Sequence, residues 1–204
     1  MDRSEALAHL QTLIGRDLVS LGKMSGVTIW KGDRINKGWA GHTIERYLGL
    51  PLNSSRSPNF GSWELKVVPV RAMPGGVFKV KETMAITMID RVEVAAKEFQ
   101  NSHLFLKLQR MIVVARVFES KAETRSLCHL VAAFDLGDET LYQQVKADYD
   151  LIREVIRTRG FEHLSGSMGV MVQPRTKGPG HGSTSRAFYA RAALVARILR
   201  LGVG

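Results

Sequence analysis

Residues 111–118, Met-Ile-Val-Val-Ala-Arg-Val-Phe, are apolar at every position except Arg116. A segment that apolar has no solvent face, so it reads as a central strand, buried on both sides. The flanking sequence supplies the cover. Residues 138–159 carry Leu141, Val145, Tyr149, Ile152 and Ile156 at spacings of three and four, the grammar of a long amphipathic helix. Residues 91–108 also favour helix and lead directly into the apolar strand. Helices around a few strands make a mixed α/β domain.

The remaining elements follow from periodicity and punctuation. Residues 4–22 read as one helix, capped by Ser4 and weak at Gly15, with Leu10, Leu13, Ile14, Leu18 and Leu21 at helical spacing. Residues 23–36 read as loop. Residues 37–48 read as a second helix, with Ala40, Ile44 and Leu48 in one stripe and Gly49 at its end. The Ser-, Pro- and Asn-rich stretch 51–61 reads as loop. From Trp63 the period becomes two, in a strand interrupted by Pro69, and residues 77–89 read as one further extended segment. Short strands are expected at 127–134 and 169–174, then a basic Gly/Pro/Ser loop at 175–185. Residues 186–201 close the chain as a basic helix or as a strand followed by a helix.

Composition narrows the function classes. Of 204 residues, 45% are hydrophobic and 24% charged, enough for a core. No run reaches the ~20 apolar residues of a membrane span, so no membrane role is expected. Residues 1–20 lack the basic-then-apolar order of a secretory signal. Cys128 is the only cysteine, which excludes an intrachain disulfide and fits a reducing cytoplasm. The histidines show no ligand spacing, so structural zinc is not expected. The net charge is +10 and uneven: residues 151–204 hold nine Lys and Arg against two Asp and Glu. Such a quarter suits a polyanion, although a solvated basic face has the same composition.

The most informative unit is Ser57-Pro58-Asn59-Phe60-Gly61-Ser62-Trp63-Glu64-Leu65-Lys66. On a strand, Glu64 and Lys66 point to one face. A carboxylate beside an ammonium in a cleft suits metal-dependent hydrolysis: the acid holds Mg²⁺, and the lysine serves the attacking water and screens phosphate charge. Glu45, on the preceding helix, offers a third group. Glu-x-Lys alone is equally an ordinary surface ion pair.

The surrounding blocks decide more. A Pro-acid pair followed by Glu-x-Lys is the signature of PD-(D/E)xK nucleases. The ordered segments KGWAGHTIERYLG (37–49), SPNFGSWELKVVPV (57–70), NSHLFLKLQRMIVV (101–114), GVMVQPRTKG (169–178) and SRAFYARAALVARIL (185–199) resemble the MutH/Sau3AI-like family of these endonucleases. That resemblance implies a restriction-endonuclease-like fold with two lobes around a DNA cleft. The catalytic lobe would be about 1–135 and the DNA-recognition region about 150–204, within one domain spanning 1–204. It places the catalytic set on Glu45, Asn59, Glu64, Lys66 and Lys107. Glu45, Asn59 and Glu64 become the Mg²⁺ ligands, and Pro174, Arg175, Lys177, Arg186 and Tyr189 the DNA-binding residues.

Two departures bear on activity. The first acid of the motif is Asn59, whose amide is a weaker metal ligand than a carboxylate. Asn59 is either the natural residue or the exchange commonly used to disarm a nuclease. The interval from Asn59 to Glu64 is five residues, shorter than in the mismatch-repair member of the family, which favours a restriction enzyme. The expectation is therefore a sequence-specific, Mg²⁺-dependent type II endonuclease acting on double-stranded DNA, monomeric when free. The alternatives are a MutH-like mismatch-repair nicking endonuclease that takes an activating partner, or a catalytically inactive DNA-binding module.

Overall fold

The computed structural model describes residues 1–49, 58, 61–177 and 185–202. The central apolar run is strand β6 (Arg110–Val117) of a four-stranded sheet. It lies parallel to β3 (Glu64–Ala72) and antiparallel to β7 (Cys128–Asp135), while β4 (Phe78–Val80) pairs with the far end of β3. Alternate residues of β3 and β6 enter two different cores, as the period of a strand requires. Val68, Val70, Met111, Val113 and Ala115 face one core, and Leu65, Ile112 and Val114 face the other.

The second core is covered by α1 (Arg3–Gln11), α2 (Leu18–Met24) and α3 (Trp39–Tyr47). The single helix expected over 4–22 is thus two, capped by Asp2 and Asp17 rather than by Ser4. The break falls at Gly15, whose φ of 82° is readily available only to glycine. Its N–H donates to the Cys128 carbonyl at 2.8 Å, tying the turn to the sheet. The expected loop 23–36 contains a small hairpin, β1 (Trp30–Lys31) and β2 (Arg34–Ile35).

The first core is closed by α4 (Arg91–Ala96), α5 (His103–Leu108), the long α6 (Glu139–Thr158), α7 (Ala192–Ile198) and a second sheet. That sheet has the order β5 (Met84–Met88), β9 (Arg186–Ala190), β8 (Val172–Thr176). The extended segment expected over 77–89 is therefore two strands in different sheets, separated at 81–83. The helix expected over 91–108 is α4 and α5, interrupted at 97–102 by a short 3₁₀ turn. The strand expected at 169–174 begins three residues later, because 170–172 are held by a different device. Asp148 of α6, almost fully buried, accepts from the N–H groups of Val170, Met171 and Val172 at 2.8, 2.6 and 2.7 Å. Arg191 binds the carbonyls of Gly166, Met168 and Gly169 from the other side. The chain's last elements are strand then helix, one of the two forms expected.

The loop expected at 51–61 falls largely outside the described residues, as does Asn59. Among the described residues no helix is long and apolar enough to cross a membrane.

Candidate functional site

The site begins at the first residues of β3. Strand β6 covers one edge of β3 from Glu64 to Val70, but β4 pairs with its other edge only at Val70–Ala72. Among the described residues, the edge from Glu64 to Val67 has no strand beside it. Leu65 and Val67, from the opposite face to Glu64 and Lys66, accordingly line the same cleft of about 530 Å³.

Glu64 has no exposed surface. A buried carboxylate has to be paired, and among the described residues two lysines pair with Glu64. Lys66 Nζ donates to its Oε1 at 2.6 Å, and Lys107 Nζ reaches the same oxygen at 3.2 Å. The two lysines come from unlike places. Lys66 lies two residues along the strand, on the same face. Lys107 lies on α5, whose buried face is Leu104, Lys107 and Leu108. Its stem packs in the core while its ammonium reaches out to the acid. Ser102 caps α5 by accepting from Phe105 N–H at 3.1 Å, which fixes where the helix starts. Burial pulls the Lys107 ammonium below the usual lysine range; Glu64 opposes this, and the neighbouring charges of Lys66 and Lys177 add to it.

The facing wall is α3. Trp39, Ala40, Thr43 and Ile44 are its buried side, and Gly41, His42 and Glu45 line the cleft at helical spacing. Glu45 therefore shares the cleft with Glu64, Lys66 and Lys107, as expected. Lys177, expected with the DNA-reading loop, also lines this cleft. The other DNA-binding candidates do not. Pro174 is buried on the edge strand β8, where a missing N–H is tolerated. Arg175 is exposed, donates to Thr83 Oγ1 at 2.8 Å, and places its guanidinium 5.6 Å from the centre of the Tyr189 ring. Arg186, half-buried, opens β9 opposite Thr176.

Sequence reasoning missed Arg116, the one charge in the apolar run, which also lines the cleft. It forms a two-pronged pair with Glu123 at 2.7 and 2.9 Å and lies 5.0 Å from the centre of the Trp39 ring, at the start of α3. A lone arginine inside a central strand was the available signal. Of the three tryptophans, Trp39 and Trp63 are buried, whereas Trp30 is 40% exposed on the hairpin.

The donors suit a hard cation. Glu45 and Glu64 offer carboxylate oxygens, and Mg²⁺ commonly takes one or two carboxylates from a protein and the rest from phosphate and water. No group of three His, Cys, Asp or Glu side chains gathers among the described residues.

A mixed α/β fold with an acid at the start of a strand and two lysines upon it defines a chain of restriction-endonuclease-like architecture. The family model described as "DNA mismatch repair enzyme MutH" matches residues 48–151, just over half of the chain. The chain belongs to the MutH family, and so to the PD-(D/E)xK nucleases by descent. The matched segment includes Glu64, Lys66 and Lys107. Relatives extend the likeness. The DNA mismatch repair protein MutH of Vibrio campbellii is 27% identical over 179 residues, covering 85% of this chain and 76% of the relative. That of Shewanella sp. (strain W3-18-1) is 25% identical over 224 residues, covering 98% and 96%. That of Haemophilus ducreyi is 26% identical over 215 residues, covering 97% and 92%. Nothing in these likenesses favours a restriction enzyme.

Proposed function

We propose that the chain is a Mg²⁺-dependent endonuclease that nicks double-stranded DNA in the manner of a mismatch-repair MutH enzyme. One observation carries the reading: the buried Glu64 carboxylate is shared by Lys66 and Lys107 in a cleft that Glu45 lines from the facing helix. The names of the relatives favour nicking in repair over the type II restriction role expected from the short Asn59–Glu64 interval.

In this reading Glu64, Glu45 and the Asn59 amide would hold the ion, which would supply Lewis-acid polarisation of the phosphate and a more acidic water. Lys66 lies beside the attacking water and orients it. Lys107 keeps Glu64 in place and, with Lys177, offsets the charge that grows on the phosphoryl oxygens. Water oxygen bonds to phosphorus as the bond to O3′ breaks, leaving a 5′-phosphate and a 3′-hydroxyl. Residues 1–135, joined by Lys177, supply this chemistry, and the region 150–204 supplies recognition through Pro174, Arg175, Arg186 and Tyr189. The protein acts as a monomer in the cytoplasm, with an activating partner supplying the repair signal.

The test is supercoiled plasmid with Mg²⁺, run beside Asn59→Asp. Open circles from the unaltered chain support nicking, and linear product would instead make it a restriction-type enzyme. Asn59 favours a second reading, a binding module without catalysis. Cutting only by Asn59→Asp would establish that reading.

A further inference from the structure

The hairpin β1–β2 takes no part in the site described above, yet it leads straight into it. In its register Lys31 stands directly opposite Arg34, and Trp30 opposite Ile35. Directly opposed residues of an antiparallel pair share a face, with Cβ atoms about 5 Å apart. Lys31 and Arg34 are both exposed, and neither has an ion-pair partner among the described residues. Like charges in that arrangement oppose strand pairing, and Asp33, in the turn between them, forms no ion pair with either among the described residues, so an anion between the two side chains would relieve the repulsion.

The hairpin is also anchored to the cleft. Asn36 donates from its side chain to the Thr28 carbonyl at 2.8 Å and from its backbone to the Ile29 carbonyl at 2.8 Å. Its own carbonyl accepts from the N–H of Trp39, the first residue of α3, at 2.9 Å. Lys31 and Asn36 share a recess with His42, and His42 also lines the cleft. Only Ile35 and Asn36 separate Arg34 from Lys37, on the cleft's rim.

We infer that Lys31 and Arg34 form a phosphate clamp that grips the DNA backbone outside the catalytic cleft, on the α3 side. The inference rests on the DNA reading above. Opposed cations on a two-stranded ribbon suit a phosphate, and the continuity with a cleft of lysines favours duplex DNA over an anionic membrane or an acidic protein. The contact carries no sequence information.

The experiment is a binding titration of the full chain on a short random-sequence duplex, in chelator to prevent cutting, across a salt series. Each phosphate contact contributes about 0.9 to the slope of log affinity against log salt. Lys31→Gln with Arg34→Gln should make the slope shallower by about 1.8. Lys31→Arg with Arg34→Lys should leave it unchanged. Lys121→Gln with Arg125→Gln, an equal loss of exposed charge between β6 and β7, should change it little. Melting of the Gln pair should match or exceed that of the unaltered chain, since the repulsion is gone. An unaltered slope in the Gln pair overturns the clamp while leaving the DNA reading intact. Equal loss in the hairpin pair and the Lys121/Arg125 pair also overturns it, as a general charge effect. Failure of the unaltered chain to bind duplex sinks the functional reading and the clamp with it. Loss of binding to phosphatidylserine vesicles rather than to duplex, in the Gln pair, would assign the hairpin to a membrane instead.

Discussion

Lys107 and Glu64 lie 43 positions apart in sequence and 3.2 Å apart in space. The contact joins a helix that caps one core to the first residue of a strand shared by both. Because Lys66 holds the same oxygen, the acid and its two bases form one unit, and its members should respond unequally to substitution.

Glu64→Gln removes the buried carboxylate that Lys66 and Lys107 share and leaves their two ammonium groups close together. It should lower stability by about 3 kcal/mol or more, read by urea denaturation. Lys107→Met leaves the Glu64–Lys66 pair intact and should cost less. Lys66→Ala should reduce nicking by about 10²–10⁴-fold while leaving DNA binding in chelator largely unchanged. Unimpaired cutting without Lys66 would remove it from the mechanism.

Arg175 and Lys177 should separate by function. Arg175→Ala should cost ~1–3 kcal/mol of discrimination at one base pair with the salt slope unchanged. Lys177→Ala should weaken all duplexes alike and reduce the slope by about 0.9. Titrations on the target duplex and single-base variants at several salt concentrations read both effects.

The spacing between α2 and the helix that carries Glu45 depends on Gly22. A Cβ there would lie 2.6 Å from Thr43 Oγ1, inside α3. Gly22→Ala should destabilise by about 1–3 kcal/mol through overpacking. In a Thr43→Ala background the same change should be neutral or stabilising, because alanine is the better helix former. Additive effects in that double-mutant cycle would show that the two helices are spaced by other contacts.

Cys128 predicts a pH dependence. Burial pushes its thiol up from 9.0 to about 11. Between those values the unfolded chain releases a proton that the folded chain keeps, so this stability is whole below pH 9 and falls as pH rises through the window. The loss by pH 11 should be about 2–3 kcal/mol. Denaturant midpoints of the unaltered chain and Cys128→Ala should diverge across that range, with the slope smaller in the variant.

Much of this was legible in the chain. The apolar run 111–118 gave the central strand, and Trp63-Glu64-Leu65-Lys66 gave the paired face, because period and charge are local properties. Sheet membership is not local. Residues 77–89 alternate without a visible break, yet the chain changes sheets at 81–83 to bring β5 beside β9. The interruption at 97–102 contains neither proline nor glycine, so nothing in the local sequence marks where α4 stops. Lys107 was reached through family likeness alone, since a lysine on an apolar helix face does not reveal which acid it meets. Lys177 was likewise assigned to the recognition loop through family likeness; its place beside Lys107 depends on how the second sheet packs against the first.

Among the described residues no strand lies beside one edge of β3 from Leu65 to Val67, and this has a further consequence. A strand edge without a neighbouring strand is a template on which another chain can add itself, and proteins guard it with charge and proline. Here Lys66 stands on that edge and Pro69, lacking an N–H, follows it. The residues that serve hydrolysis are thus also the gatekeepers against self-association, and duplex seated in the cleft would shield the same backbone. A charge-stripped form prepared for trapping DNA, such as Lys66→Ala, should therefore lose colloidal stability in the absence of nucleic acid and regain it when duplex is added.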